Sequence, residues 1–290
     1  MDYFSPGSLR EALDIRSQYG EEVTLLAGGT DLLVRMKDGK ETPARLLDLA
    51  GAGLDYVQCG EDVRIGAMVS LNHIVENPEL REKHPILAEA AREVGAVQTR
   101  SLATLGGNIC TGIPSADMIP ALLVLDSQVV LRSRRGERVI RLEDFVAGPR
   151  QLRLEEDEIL TEVVVPAGNS LRQRGFAFLK VGKRKALRLS IINLAVKLEL
   201  EPGSDVIRDI AVAMGTVAPV PLRLRQVEEY MTGRELSEGL VAEAIPLVKE
   251  SISPRTSLRA SKEYRLYLAE NLFKRGLELA RQRAGGGEAA

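Results

Sequence analysis

The stretch Thr104-Leu105-Gly106-Gly107-Asn108, with Ala27-Gly28-Gly29-Thr30-Asp31 as its counterpart, decides how this chain is read. Each is a run of small residues at the end of an apolar segment. A glycine has no Cβ to hold a ligand off the main chain, so backbone N–H groups there can approach an anion closely. Val23 to Ala27 reads as a short strand, Gly28-Gly29 as a sharp turn, and Thr30 to Leu32 as the opening of a short helix that runs to Gly39. Unpaired N–H groups and the positive end of the helix dipole suit an anion at such a start. Thr30 can serve as N-cap or as a hydroxyl ligand. The Asp31 carboxylate is expected to turn away from the anion and stabilise the helix start. The spacing is not G-x-G-x-x-G, and no Lys-Ser/Thr follows to make a P-loop.

The second stretch lies in a polar, Gly-rich segment, Gln98 to Asn108, expected as a loop. Thr104 and Thr111 supply hydroxyls, and Asn108 supplies an amide that both donates and accepts. Asp117 opens an apolar helix, where a carboxylate either caps the helix or binds ribose hydroxyls. Each glycine loop taken alone also fits a plain structural turn. Two of them followed by Asp117, in this order, point to a single anion-binding site.

Composition narrows the rest. The 290 residues carry 39 basic and 41 acidic side chains, so no field of one sign suggests nucleic acid or a membrane surface. The basic cluster Arg132-Ser133-Arg134-Arg135-Gly136 reads as a solvated hairpin tip between two strands. The longest apolar run, Ile119 to Leu125, is far below the roughly 18–20 residues of a membrane span. No targeting segment is expected. Two cysteines, Cys59 and Cys110, make no disulfide framework or cluster site, and a reduced, cytoplasmic setting is expected. With only His73 and His84, a histidine-based triad or zinc site lacks partners.

The pattern of elements gives an α+β chain in three parts. Residues 1–53 hold a capped helix after Ser8, the strand at Val23, the short helix and a strand at Arg45 to Leu49. This unit suggests a small, partly parallel sheet. Residues 54–174 alternate strands (Tyr56-Val57, Val63 to Ala67, Gln128 to Leu131, Arg138 to Arg141, Glu158 to Val165) with helices after Ser70, Pro85 and Asp117. Residues 175–290 begin with three strands in hairpins, Phe176 to Lys180, Ser190 to Leu200 and Val206 to Met214. Three helices follow, Arg225 to Met231, Glu238 to Val248 and Leu258 to Ala280. The tail at Gly285-Gly286-Gly287 is expected to be disordered.

With these pieces in place, the chain resembles the FAD-binding medium subunit of the molybdenum hydroxylases, the xanthine dehydrogenase and carbon monoxide dehydrogenase family. The matching segments are Ala27 to Leu32, Arg100 to Asn108, and Ser115-Ala116-Asp117 with Pro120. Further ones are Asp157 to Leu160 before Pro166, Lys180 before Arg184, and Ser261-Lys262-Glu263-Tyr264-Arg265. They cover essentially the whole chain. The resemblance implies a two-lobed FAD-binding domain of the vanillyl-alcohol-oxidase type, followed by a three-stranded sheet with helices. It implies non-covalent FAD, since no His or Cys precedes Thr104 in its loop. Ala27, Gly28, Gly29, Thr30, Asp31, Leu32, Thr104, Gly106, Gly107 and Asn108 would grip the pyrophosphate and nearby ribityl groups, and Thr111 would add a contact there. Asp117 would bind ribose hydroxyls on the adenosine side. Leu160 would pack near the adenine or the flavin edge. Lys180 would lie near the isoalloxazine; its alternative is a solvated strand lysine.

The resemblance also implies partners: a small subunit with [2Fe–2S] clusters and a large molybdopterin subunit, as a dimer of heterotrimers, with electrons leaving to NAD or another acceptor. Molybdopterin and iron–sulfur clusters belong to those partners. Ser101 and Ala103 depart from the family's usual Asn and Gly. Arg188 and Leu189 stand where some members have an Asp. With two cysteines, the extra cluster loop of the hydroxybenzoyl-CoA relatives is excluded. Two rivals are a stand-alone oxidoreductase of the same fold, related to the UDP-N-acetylenolpyruvoylglucosamine reductases, and an interaction subunit without FAD. Gly107→Val is expected to put a branched side chain in the pyrophosphate path and abolish FAD retention, read from the visible absorption of the purified protein.

Overall fold

A computed structural model describes residues 1–167, 174–184 and 187–285. The glycine tail expected to be disordered lies, after Gly285, outside the described residues. The first unit runs β1 (Asp2–Phe4), α1 (Leu9–Tyr19), β2 (Val23–Leu26), α2 (Leu32–Lys37) and β3 (Arg45–Asp48). Its sheet has the order β1-β3-β2 and is parallel throughout. Three-residue β1 carries no pattern long enough to read in sequence. The Ser8 side chain accepts from the Glu11 N–H, a Ser N-cap as the sequence suggests. Buried Arg16 on α1 donates to the carbonyls of Glu158, Gly20 and Val23, so it ties the first unit to the second. Burial depresses its pKa below the usual guanidinium value.

The second unit contains β4 (Val57–Cys59), β5 (Val63–Gly66), α3 (Leu71–Glu76), α4 (Pro78–Lys83), α5 (Pro85–Arg92), α6 (Val97–Leu102), α7 (Leu105–Cys110) and α8 (Met118–Val124). It continues with β6 (Gln128–Ser133), β7 (Gly136–Arg141), α9 (Leu142–Phe145), β8 (Val146–Gly148), β9 (Gln151–Leu152) and β10 (Ile159–Val165). The antiparallel sheet has the order β4-β5-β10-β6-β7, and its central strand β10 is buried at every position. The hairpin tip between β6 and β7 is solvated and paired with acids: Arg135 with Glu155 and Asp157, Arg134 with Asp14. The segment Gln98 to Asn108, expected as a loop, forms the two short helices α6 and α7. Gly106 and Gly107 lower local helix propensity, and tertiary contacts override it.

The third unit is β11 (Arg174–Val181), β12 (Ile192–Leu200), β13 (Ile207–Gly215), β14 (Leu222–Arg223), α10 (Arg225–Met231), α11 (Glu238–Glu250) and α12 (Lys262–Ala284). The sheet order is β11-β12-β13-β14, so a two-residue strand joins the three expected. Phe273, Leu277 and Ala280 of α12 are buried in the core with Leu194, Val196 and Leu198 of β12.

Helix α8 joins the second and third units. All seven of its residues are buried, and its core also takes in Phe176, Phe178, Ala195, Ala211 and Ala213 of the third sheet. At its C-terminal end, buried Arg223 donates to the Leu123 carbonyl at 2.8 Å and to Asp126 at 2.9 Å. The same guanidinium forks onto Glu228 at 2.6 and 2.8 Å. A cation suits a helix C-terminus, and the bidentate pair compensates burial of both charges. Arg223→Met should therefore leave buried Glu228 with only the Val212 N–H and the more distant Arg225, costing about 3 kcal/mol in urea denaturation. The double variant Arg223→Met/Glu228→Gln should recover part of that loss.

Candidate cofactor site

The two glycine stretches meet. The Leu102 carbonyl, at the end of α6, lies directly against the Gly28 Cα, and any Cβ on Gly28 would overlap it. Gly28 is thus required by the approach of one protein backbone to another. Gly29 sits at φ +69°, the left-handed region that glycine adopts without strain. That turn points the chain from β2 into α2. The N–H groups of Gly28, Gly29, Thr30, Asp31 and Leu32 meet no acceptor among the described residues. Five successive free amides around a tight turn form a concave nest for an anion.

In the second stretch the amides of Leu105 to Asn108 are bonded within the protein. Leu105 N–H donates to the Val69 carbonyl at 3.0 Å and Gly106 N–H to the Ala67 carbonyl at 2.9 Å. Gly107 N–H donates to the Thr104 hydroxyl at 3.0 Å, and Asn108 N–H to the Thr104 carbonyl at 2.9 Å. Thr104 is the N-cap of α7: its hydroxyl accepts from the Gly107 N–H and keeps its own O–H to donate. A Cβ on Gly107 would stand 2.8 Å from that hydroxyl and 3.6 Å from the Ala27 Cβ. This stretch is a smooth wall facing the nest.

Between nest and wall lies a cleft of about 740 Å³. Thirteen of the fourteen anticipated residues line it: Ala27 to Leu32, Thr104, Gly106, Gly107, Asn108, Thr111, Asp117 and Leu160. The fourteenth, Lys180, stands behind the surface. Its ammonium donates to Asp117 Oδ2 at 2.6 Å and to the Glu93 carbonyl at 2.8 Å, with a side chain only 1% exposed. Ser190 Oγ and Asn193 Nδ2 donate to Asp117 Oδ1 at 2.6 and 2.8 Å. Asp117 and Lys180 therefore share one end of the cleft. Asp117 on an adenosine side with Lys180 at a flavin ring far from it is not compatible with this bond. The solvated-lysine alternative fails as well.

Two further expectations change. Asp31 makes no capping bond to α2; its carboxylate pairs with Arg150 at 3.2 Å. Asp117 does not cap α8 either. Asn108 Oδ1 accepts the Met118 N–H at 3.3 Å, so an amide from α7 takes that role. Thr111 donates its hydroxyl to the Asn108 carbonyl. Sequence reading missed Arg150, Val94, Gly95 and Thr99 and gave no site role to Arg184 and Arg188; all of these line the cleft. Arg150 is placed by its N–H bond to the Gly112 carbonyl, 2.7 Å long, with no local motif to announce it.

The titratable groups offer little acid–base chemistry. Cys110 borders the cleft, but burial pushes its thiol up to about 12, which keeps it protonated. His84 is held down at about 4 by burial and then by Arg174, as a structural histidine would be. Among the described residues no cluster of ligands could hold a metal ion, and no helix is long and apolar enough to cross a membrane.

Comparison with known proteins settles the family. Residues 1–168 match the model of the FAD binding domain in molybdopterin dehydrogenase, and residues 177–280 that of the CO dehydrogenase flavoprotein C-terminal domain. The chain belongs to the FAD-binding subunits of the molybdenum hydroxylases. It is 31% identical over 287 residues to the xanthine dehydrogenase FAD-binding subunit of Escherichia coli O157:H7, covering 98% of this chain and 97% of the relative. It is 32% identical over 282 residues to the nicotinate dehydrogenase FAD-subunit of Eubacterium barkeri, covering 94% of each. The solved carbon monoxide dehydrogenase from Hydrogenophaga pseudoflava superposes with a TM-score of 0.92 at 30% identity over 98% of both chains. This flavoprotein is accordingly an oxidoreductase subunit with FAD as its cofactor. Nest, wall and cleft volume fit such a dinucleotide.

The Gly28 contact gives a direct test. Gly28→Ala should drive α6 off the nest, lowering both thermal stability and FAD occupancy. Gly39→Ala, at positive φ but with open space around its Cβ position, should leave FAD occupancy unchanged in the same absorption assay.

Proposed function

We propose that this chain carries electrons between the [2Fe–2S] clusters of a small partner subunit and an acceptor such as NAD. The electrons originate at a molybdopterin centre in a large subunit, within a dimer of heterotrimers in the cytoplasm. The observation that carries the reading is the nest of five free amides facing a wall without a nucleophile or general base. Bound FAD supplies the redox chemistry, taking up a pair of electrons and releasing them singly or together. The protein's task is to hold and orient it.

In this reading the amides of Gly28 to Leu32 receive the pyrophosphate, with the Thr30 hydroxyl beside them. Arg150 offsets the Asp31 carboxylate, which would otherwise repel that anion. Thr104, Gly106, Gly107, Asn108 and Thr111 shape the opposite wall. Leu160, with Ile159 and Leu25, forms an apolar slot suited to the adenine. The flavin ring takes the other end, between the Val94-Gly95 turn, Asp117, Arg184, Leu187, Arg188 and Leu189. There Asp117 accepts from a cofactor hydroxyl through the free lone pair of Oδ2, and Lys180 acts on the cofactor by positioning Asp117. The proposed division at 1–53, 54–174 and 175–290 is supported by a sheet in each part, apart from Arg174, which opens β11, and by α8 packing on both of the last two.

The stand-alone oxidoreductase reading would need an acid–base pair facing the ring, and Cys110 is too weakly acidic to provide one. Purification of the chain, alone and with its partner subunits, should give flavin absorption bands; a colourless protein in both cases would sink the reading. Lys180→Met should lower FAD affinity at least tenfold in equilibrium dialysis, with Lys180→Arg recovering part of it. An unchanged affinity in Lys180→Met would remove Lys180 from the site.

A further inference from the structure

Arg150 stands in a backbone conformation that its residue type disfavours. It is the second corner of the turn Pro149-Arg150, between β8 and β9, at φ +60°. Pro at the first corner and a positive φ at the second are the marks of a type II turn, where glycine is the usual second-corner residue. A residue with a Cβ is strained there. The position is nonetheless enforced. Arg150 N–H donates to the Gly112 carbonyl at 2.7 Å. Gly112, itself at φ +58°, lies so close that a Cβ on it would come 2.9 Å from the Arg150 Cα. Backbone contact thus fixes the root of the side chain to the chain just after α7, on the wall of the cleft. Strain held in place by packing beside a cleft is a recurrent mark of ligand clamps.

The side chain crosses from the wall to the nest. Arg150 lines the cleft, and its guanidinium donates to Asp31 Oδ2 at 3.2 Å. Asp31 also contributes one of the free amides, so the guanidinium ends within one side chain's length of the nest. This one long bond joins two side chains that are each 40% exposed, and such a pair stabilises a fold very little. Among the described residues it leaves the guanidinium's other N–H donors free. The other arginines of the cleft are placed differently. Arg35 pairs with Glu41, Arg188 pairs with Glu93, and Arg184 rests on the Leu187 carbonyl. A strained turn, a fixed root and a half-used guanidinium give Arg150 a task that the Asp31 pair does not supply.

We propose that Arg150 is itself a ligand of the FAD pyrophosphate, with the Asp31 carboxylate aiming its guanidinium at the phosphate oxygens. The proposal rests on the pyrophosphate lying in the nest. A guanidinium gives phosphate several charge-assisted bonds in a fixed fork. The backbone amides supply donors without net charge, and Arg150 adds a full cation for the doubly charged group. Asp31 then holds that cation in place and is not merely offset by it. Neutralising Asp31 in the absence of Arg150 would leave the nest uncharged and still short of a donor.

The test measures FAD affinity of the full chain, freed of flavin, by equilibrium dialysis. Arg150→Gly puts at φ +60° the residue that the turn favours, so the thermal midpoint of the flavin-free protein should hold or rise. Its FAD affinity should nevertheless fall at least tenfold and depend less on ionic strength than that of the parent. Arg150→Lys, which keeps the charge and loses the fork, should lie between the two. In Arg150→Gly/Asp31→Asn the affinity should stay at least fivefold below the parent. Parent-like affinity in Arg150→Gly would overturn the proposal. So would full recovery in the double variant, which would leave Arg150 only a neutraliser of Asp31. A lower midpoint with an unchanged salt dependence would mark Arg150 as structural and overturn it too. Riboflavin, which has no phosphate, tests the underlying placement separately. The parent should bind FAD far more tightly than riboflavin; equal affinities would remove the pyrophosphate from the nest, and the proposal with it.

Discussion

The structure depends on the clasp around α8. This wholly buried helix has no face in water, so its ends must be satisfied inside the protein. Asn108 of α7 takes the Met118 N–H at the first end, and the third unit supplies a cation near each end. Lys180 of β11 neutralises Asp117 at the N-terminal end, and Arg223 of β14 takes the Leu123 carbonyl at the C-terminal end. The signs follow the helix dipole: an acid at the positive end and a cation at the negative end. Lys180 then serves two demands. It permits a carboxylate to be buried, and it fixes that carboxylate at the rim of the cofactor cleft.

The cleft is built on the same principle of one unit completing another. The nest belongs to the β2–α2 turn of the first unit, and the wall belongs to α6 and α7 of the second. They are held at contact distance by backbone against backbone, the Leu102 carbonyl on Gly28. The free amides and the steric wall are therefore separate parts. Each double glycine solves a different problem: one frees amides by turning at positive φ, and the other lets a helix start pack under the sheet, with the Gly106 N–H bonded to Ala67.

Much of this was legible in the sequence, for physical reasons. Ser8 and Ser70 announce their helices because a side-chain oxygen at an N-cap is a local solution to a local need, whereas the last helix, expected from Leu258, starts after Ser261. The hairpins of the third unit show in their alternation and in Pro202-Gly203. The cleft residues other than Lys180 were found because both loops carry compact motifs. What was not legible depended on distant pairing. Lys180 and Asp117 are 63 positions apart, and Arg150 reaches Asp31 across 119. No window of sequence holds either relation. Helices α6 and α7 were missed because six-residue helices containing or adjoining glycines are made by their surroundings.

The clasp also orders events during synthesis. A ribosome releases the chain from its N-terminus, so nest and wall emerge long before Lys180, Ser190 and Asn193. Until those residues arrive, Asp117 is an uncompensated carboxylate beside an open groove. The cleft acquires its final rim only when the last sheet closes over α8. A polypeptide stalled before β11 would hold both double glycines of the site while still lacking the lysine that compensates Asp117.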